Sequence, residues 1–146
     1  MTLFTYVFDT KLDAKGRLVL PARIKSQLPA GEDNELVIRR GFEKCLNIYP
    51  MTEFKRVFSK ISALSEFNEE FRKLQRNFLP GAAIVELDAN GRLLIPKSMV
   101  TYAELDKDVK ILGVGNKIEV WNPVNYEKEI MGQDELAELT AKVVKE

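Results

Sequence analysis

The sequence predicts a mainly β, α+β fold: a pseudo-twofold duplicated β-barrel with short helices between and after its two units. Three observations predict it. The segment Leu12-Asp-Ala-Lys-Gly-Arg-Leu-Val-Leu-Pro21 recurs as Leu87-Asp-Ala-Asn-Gly-Arg-Leu-Leu-Ile-Pro96, and apart from aliphatic exchanges the copies differ only at Lys15 and Asn90. Downstream, Leu36-Val-Ile-Arg and Cys45-Leu-Asn-Ile-Tyr49-Pro50 correspond to Asp108-Val-Lys-Ile and Lys117-Ile-Glu-Val-Trp121, so the offset falls from 75 to 72 residues. A length change around Pro29-Ala-Gly31 accounts for the drop, because loop insertions cost little. Between the copies the apolar residues change to helical spacing. Each half presents an apolar sheet face that is unstable alone, so the halves are expected to interlock as one barrel.

The first unit, 6–58, reads as strand, tight turn, strand, short helical segment and hairpin. Asp13-Ala-Lys-Gly16 is a turn sequence, since Asp bonds its own backbone two residues on and Gly accepts a positive φ. Leu18-Val-Leu20 is strand-like and Pro21 stops it. A helical connection, 59–80, joins the units. Phe54, Val57, Phe58, Ile61 and Leu64 keep helical spacing, as do Phe67, Phe71, Leu74 and Phe78, but the stripes are out of phase. A slip near Ser62 to Glu66 therefore predicts two helices, the second ended by Pro80-Gly81. Their phenylalanines read as core or subunit interface.

The second unit, 81–130, repeats the pattern with the turn Asp88-Ala-Asn-Gly91 and a hairpin of Val109 to Gly113 and Ile118 to Trp121. Gly113-Val-Gly115 lacks the third glycine and acidic partner of a dinucleotide fingerprint and reads as a turn. Asn122-Pro123 resembles a helix N-cap followed by proline at the first position. The tail, 131–146, carries a modest stripe of Leu136, Leu139 and Val143 and is expected to be a helix that frays.

At 146 residues and 45% hydrophobic content, the chain fits a single domain, 1–146, with a core that requires neither disulfide nor metal. No apolar run approaches a membrane span, and Met-Thr-Leu-Phe-Thr-Tyr-Val-Phe-Asp has no basic signal-type start, so a cytoplasmic protein is expected. Cys45, the only cysteine, reads as a small buried hydrophobe. Lys and Arg number 22, matched by 22 Asp and Glu, yet Lys11 to Lys25 carries five basic residues against Asp13. That local charge of +4 suits an anionic polymer, although a solvated lysine-rich hairpin would look the same. Catalysis has little to work with: there is no histidine, cysteine cluster, metal-spaced set, phosphate loop or nucleophile elbow. No cofactor, metal or small-molecule substrate is expected.

The duplicated Asp-x-x-Gly-Arg with a proline four residues later, the intervening helical pair and the length resemble the MraZ family. That family carries two AbrB- and MazE-type swapped-hairpin units in one polypeptide, and the resemblance covers nearly the whole chain. It implies a bacterial transcriptional regulator encoded at the head of the division and cell wall gene cluster, cytoplasmic and nucleoid-associated. Such a regulator binds repeated elements of double-stranded DNA in its own promoter, usually represses, and forms ring-shaped homo-oligomers.

The family's motif falls on Asp13, Lys15, Gly16 and Arg17, and again on Asp88, Gly91 and Arg92. Arg17 is the first candidate for reading guanine, since a guanidinium reaches O6 and N7 bidentately. Lys11, Lys15, Arg23 and Lys25 are expected on phosphates, which position without reading sequence. Asp13 and Asp88 repel phosphate and are assigned to shaping the turn and orienting the arginine; pairing of Arg17 and Arg92 with them purely to fix the turn is the competing reading. The second copy has Asn90, Ser98 and Val100 where the first has Lys15, Arg23 and Lys25, so the first unit is expected to dominate DNA contact. A protein-interaction scaffold remains the alternative function.

Overall fold

The computed structural model describes residues 3–29 and 35–144. The first unit contributes β1 (Val7–Lys11), β2 (Arg17–Val19), α1 (Ala22–Ser26), β3 (Glu35–Arg40) and β4 (Cys45–Pro50). The helices α2 (Met51–Ser62) and α3 (Glu69–Phe78) follow, then a 3-10 turn, Leu79–Gly81. The second unit supplies β5 (Ala83–Glu86), β6 (Arg92–Leu94), α4 (Lys97–Tyr102), β7 (Asp108–Gly113) and β8 (Ile118–Trp121), and the chain continues through α5 (Pro123–Glu127) and α6 (Gln133–Val143).

The units exchange strands. In a six-stranded antiparallel sheet of order β1-β7-β8-β4-β3-β5, the first strand of each unit pairs with the hairpin of the other. β2 and β6 pair with each other in a separate two-stranded ribbon. A pseudo-twofold axis passes between Leu18 and Leu93, which lie directly opposite in the ribbon, and between Asn47 and Glu119, opposite each other where β4 meets β8. The ribbon covers one face of the sheet. Leu18 and Leu93 join Leu36, Ile38, Leu46, Ile48, Val109, Ile111, Ile118 and Val120 in one buried cluster. The duplicated architecture is as expected, but among the described residues no closed ladder of hydrogen bonds forms a barrel. The ribbon strands, three residues each, follow the two edge strands β1 and β5 through tight turns, where Asp13 N donates to Arg17 O and Asp88 N to Arg92 O.

Register corrects the alignment of the hairpins. Asp9 lies opposite Lys110, and its counterpart Ile84 lies opposite Val37, so Val37 matches Lys110 at an offset of 73. Leu36 therefore corresponds to Val109, not to Asp108, and both point into the core. The remaining residue of the drop to 72 falls in the first hairpin turn, where Arg40 opposes Leu46 while Gly113 opposes Ile118. The expected site of length change around Pro29 to Gly31 runs into residues 30–34, outside those described.

Two helices follow the first unit, as the phase slip requires. Asn68 caps α3 by accepting from Phe71 N at 3.1 Å, and the Gln75 amide donates to the carbonyls of Ile61 and Leu64, both at 3.0 Å, clipping α2 to α3. The phenylalanines divide. Phe54 and Phe78 are buried with Val37 and Tyr49 on the outer face of the sheet, whereas Phe67 is 88% exposed and Phe58, Phe71 and Leu74 are also exposed. Asn122 caps α5 by accepting from the N–H groups of Val124 and Asn125. The tail is helical from Gln133 through Val143, and none of its helical residues is buried.

Candidate nucleic-acid interface

The two Asp-x-x-Gly-Arg turns fold alike because the same local chemistry builds them. Gly16 N donates to Asp13 O and Gly91 N to Asp88 O, each at 3.0 Å, with the glycines at φ 84° and 72°. Asp13 Oδ1 accepts from Lys15 N and Arg17 N, and its Oδ2 from Arg17 Nε at 2.7 Å. Asp88 does the same for Asn90 N, Arg92 N and Arg92 Nε, the last at 2.9 Å. The Arg17 N–H, the largest influence, holds the Asp13 carboxyl below its ordinary range; desolvation, next in size, opposes it, and the Arg17 guanidinium and Lys15 N–H add to the lowering. Asp88 is lowered likewise, by Arg92 N–H first.

The ribbon sorts its residues by pleat. Leu18 and Leu93 face inward with no exposed surface, so Arg17, Val19, Arg92 and Leu94 share the outer face. Arg17 lies opposite Leu94 and Val19 opposite Arg92, which sets the arginines on one diagonal and the aliphatics, 41% and 60% exposed, on the other. Cross-unit bonds lock the ribbon at both ends: Leu20 N to Gly91 O at 3.1 Å, and Ile95 N to Gly16 O at 2.8 Å. Each arginine is held by Nε alone. Its two terminal amino groups have no partner among the described residues, and these are donors by which a guanidinium can bond a guanine edge or a phosphate. The arginine–aspartate pairing raised as the competing reading is thus present, in a form that orients the guanidinium and leaves its outer end free.

The other candidate cations do not form one patch. Lys11 is ion-paired with Asp108. The Arg23 guanidinium stacks on Tyr6, 5.3 Å from the ring centroid. Lys15 is exposed at the tip of its turn, with no ion-pair partner among the described residues. Lys25 is carried across the pseudo-twofold and lies over the second turn, where a methyl on Gly91 would come within 2.6 Å of its Nζ. The second turn, neutral in its own stretch of sequence, therefore gains an ammonium from the first unit.

A family model described as "MraZ protein, putative antitoxin-like" matches residues 3–77 and again residues 78–144. The chain belongs to the MraZ family. It is 50% identical over 143 residues to the protein named Transcriptional regulator MraZ of Cytophaga hutchinsonii, covering 97% of this chain and 95% of that one. Its similarity to the proteins of the same name from Christiangramia forsetii and Bifidobacterium longum is 35% over 139 residues and 40% over 128, covering 94% and 88% of this chain and 90% and 83% of theirs. These MraZ names denote regulators of transcription, not enzymes.

Two features of this MraZ-family site escape a reading by sequence. Val19 and Leu94 sit in apolar runs that look wholly internal, although alternation along Leu18-Val-Leu20 was the available sign that the middle residue faces out. Beside the first turn lies an open cavity of about 710 Å³ whose rim includes Lys15 from the first unit and Lys97 and Lys107 from the second. Cys45 is buried, and burial pushes its thiol up to about 12. Among the described residues no His, Cys, Asp and Glu group could hold a metal, and no helix is long and apolar enough to cross a membrane.

Proposed function

We propose that this chain is a DNA-binding transcriptional regulator that offers the outer face of the β2–β6 ribbon to the major groove. The observation that carries the reading is the diagonal of Arg17 and Arg92 flanking exposed Val19 and Leu94 on a two-stranded ribbon. The major groove admits such a ribbon, guanine O6 and N7 accept from arginine, and the thymine methyl offers an apolar contact. Lys11, Lys15, Arg23 and Lys25 serve the phosphates. Asp13, Gly16, Asp88 and Gly91 hold the turns, and the units 6–58 and 81–130 act together as one domain.

One ribbon makes few contacts, so affinity comes from several protomers engaging spaced promoter repeats at once. The exposed Phe67, just before α3, and Phe71 and Leu74 on it support assembly into a homo-oligomer, a ring in this reading. The regulator works in the cytoplasm at the nucleoid and represses its own division and cell wall cluster. Fluorescence anisotropy on DNA from upstream of its own gene and on a scrambled duplex, at two salt concentrations, tests this. Tight, salt-sensitive preference for the native duplex that collapses in Arg17→Ala is expected. Equal weak binding to both, unchanged by the substitution, overturns the reading in favour of an interaction scaffold.

A further inference from the structure

The cavity beside the first turn is built by both units, and at the second turn the Lys25 side chain occupies the space beside the glycine. Where the first unit has Lys25, whose stem covers the buried Gly91, the second has the shorter Val100. Gly16 consequently stays half-buried, with nothing nearer than 3.5 Å to a methyl placed on it. The floor of the open cavity is apolar, formed by Leu12, Ile95, Val100 and Leu105. Its rim carries the ammonium groups of Lys15, Lys97 and Lys107, none of them ion-paired among the described residues. Of the rim carboxylates, Asp13 is engaged by Arg17, which leaves Asp106 alone against three cations.

We infer that Lys97 and Lys107 are phosphate contacts which the second unit supplies to the first turn, so that a deoxyribose–phosphate strand lies across this cavity beside Arg17. The inference rests on the DNA-binding reading above and adds two residues of the charge-poor unit to it. An apolar floor with cations on its rim complements a strand that alternates deoxyribose C–H surface with phosphate oxygens. Strand exchange is what makes the arrangement possible. In the sequence Lys97 offsets an acid of its own unit, whereas in space it stands over the turn of the other.

Full-length protein carrying Lys97→Gln, Lys107→Gln or both is compared with the parent on native and scrambled duplexes across a salt series, with Lys142→Gln on the exposed α6 as control. Each cavity substitution is expected to lower the slope of log K against log salt by about 0.9 on both duplexes alike. A fourfold rise in salt then costs the double variant roughly 12-fold less affinity than the parent. Thermal melting and the control should match the parent. A double variant that keeps the parent's steep slope overturns the inference alone. A parent with no salt-dependent binding removes the DNA reading, and the inference with it.

Discussion

The ribbon has a buried face and an exposed face to which the proposed function assigns recognition, and truncations separate them. Leu18 and Leu93 are fully buried and directly paired; Val19 and Leu94 flank them on the outside. Leucine to alanine removes about three methylene equivalents, or about 2.4 kcal/mol of transfer free energy at roughly 0.8 each. The cavity left behind raises the total to about 2.5–5 kcal/mol. On the outer face the side chains already stand partly in water, and truncation there costs about 0.5 kcal/mol or less. Urea unfolding at one fixed protomer concentration, with anisotropy on the native duplex alongside, reads both quantities. Leu18→Ala and Leu93→Ala should destabilise equally, since the pseudo-twofold gives them matching surroundings. Because they share one cavity, the double variant should depart from additivity by about 0.5–3 kcal/mol. Val19→Ala and Leu94→Ala should leave unfolding unchanged and weaken DNA binding. An inner truncation costing less than about 1 kcal/mol, or an outer one costing as much as an inner, would refute the assignment of faces.

Three further outcomes are expected. Arg17→Ala should weaken native-duplex binding by about tenfold or more while lowering the melting temperature only slightly, since Asp13 keeps its bonds from the backbone N–H groups of residues 15 and 17. Arg17→Lys should not restore it in the same anisotropy assay, since a single ammonium cannot hold Asp13 and reach a base at once. Asp13 and Asp88 have lowered folded-state pKa values, so the stability they lend is fully present above the usual aspartate range near about pH 4 and is lost as pH falls through the folded values. Melting curves of Asp13→Asn/Asp88→Asn should accordingly show a shallower decline than the parent below about pH 4 and run parallel to it from about pH 5 to 7. Cys45, buried with its thiol pushed up to about 12, should resist a thiol reagent at pH 8 in the folded chain and react at once in urea; fast labelling of the native protein would contradict its place in the core.

What the sequence makes legible is local. The Asp-x-x-Gly-Arg turn is set by one carboxylate, one glycine and the nearby backbone, so its two copies announce themselves. The break between α2 and α3 shows in the phase of the apolar stripe. Strand partnership is not local: nothing in β1 says that its partner is β7, about a hundred residues on, rather than the hairpin of its own unit. Register was hidden for a related reason. Leu36 to Arg39 are all buried, since one face meets the core and the other meets α2 and Phe78, so no alternation marks which residue points where. The same exchange scattered the cations. Residues 11 to 25 look like one basic patch until β2 and α1 carry Lys25 to the opposite turn.

Strand exchange also bears on how the two halves can change over time. A twofold assembly of identical half-chains makes every substitution twice, so a residue that suits one turn is imposed on the other. Here a covalent tether replaces association, and the partner is present at a high effective concentration whatever the copy number of the protein. Each half is then free to drift while its mate keeps the shared core intact. Asn90 in the place of Lys15 and Val100 in the place of Lys25 are differences of that kind, and under the proposed function they give a symmetric reader a strong end and a weak end. A reader with distinguishable ends can register the direction of a repeat along the duplex.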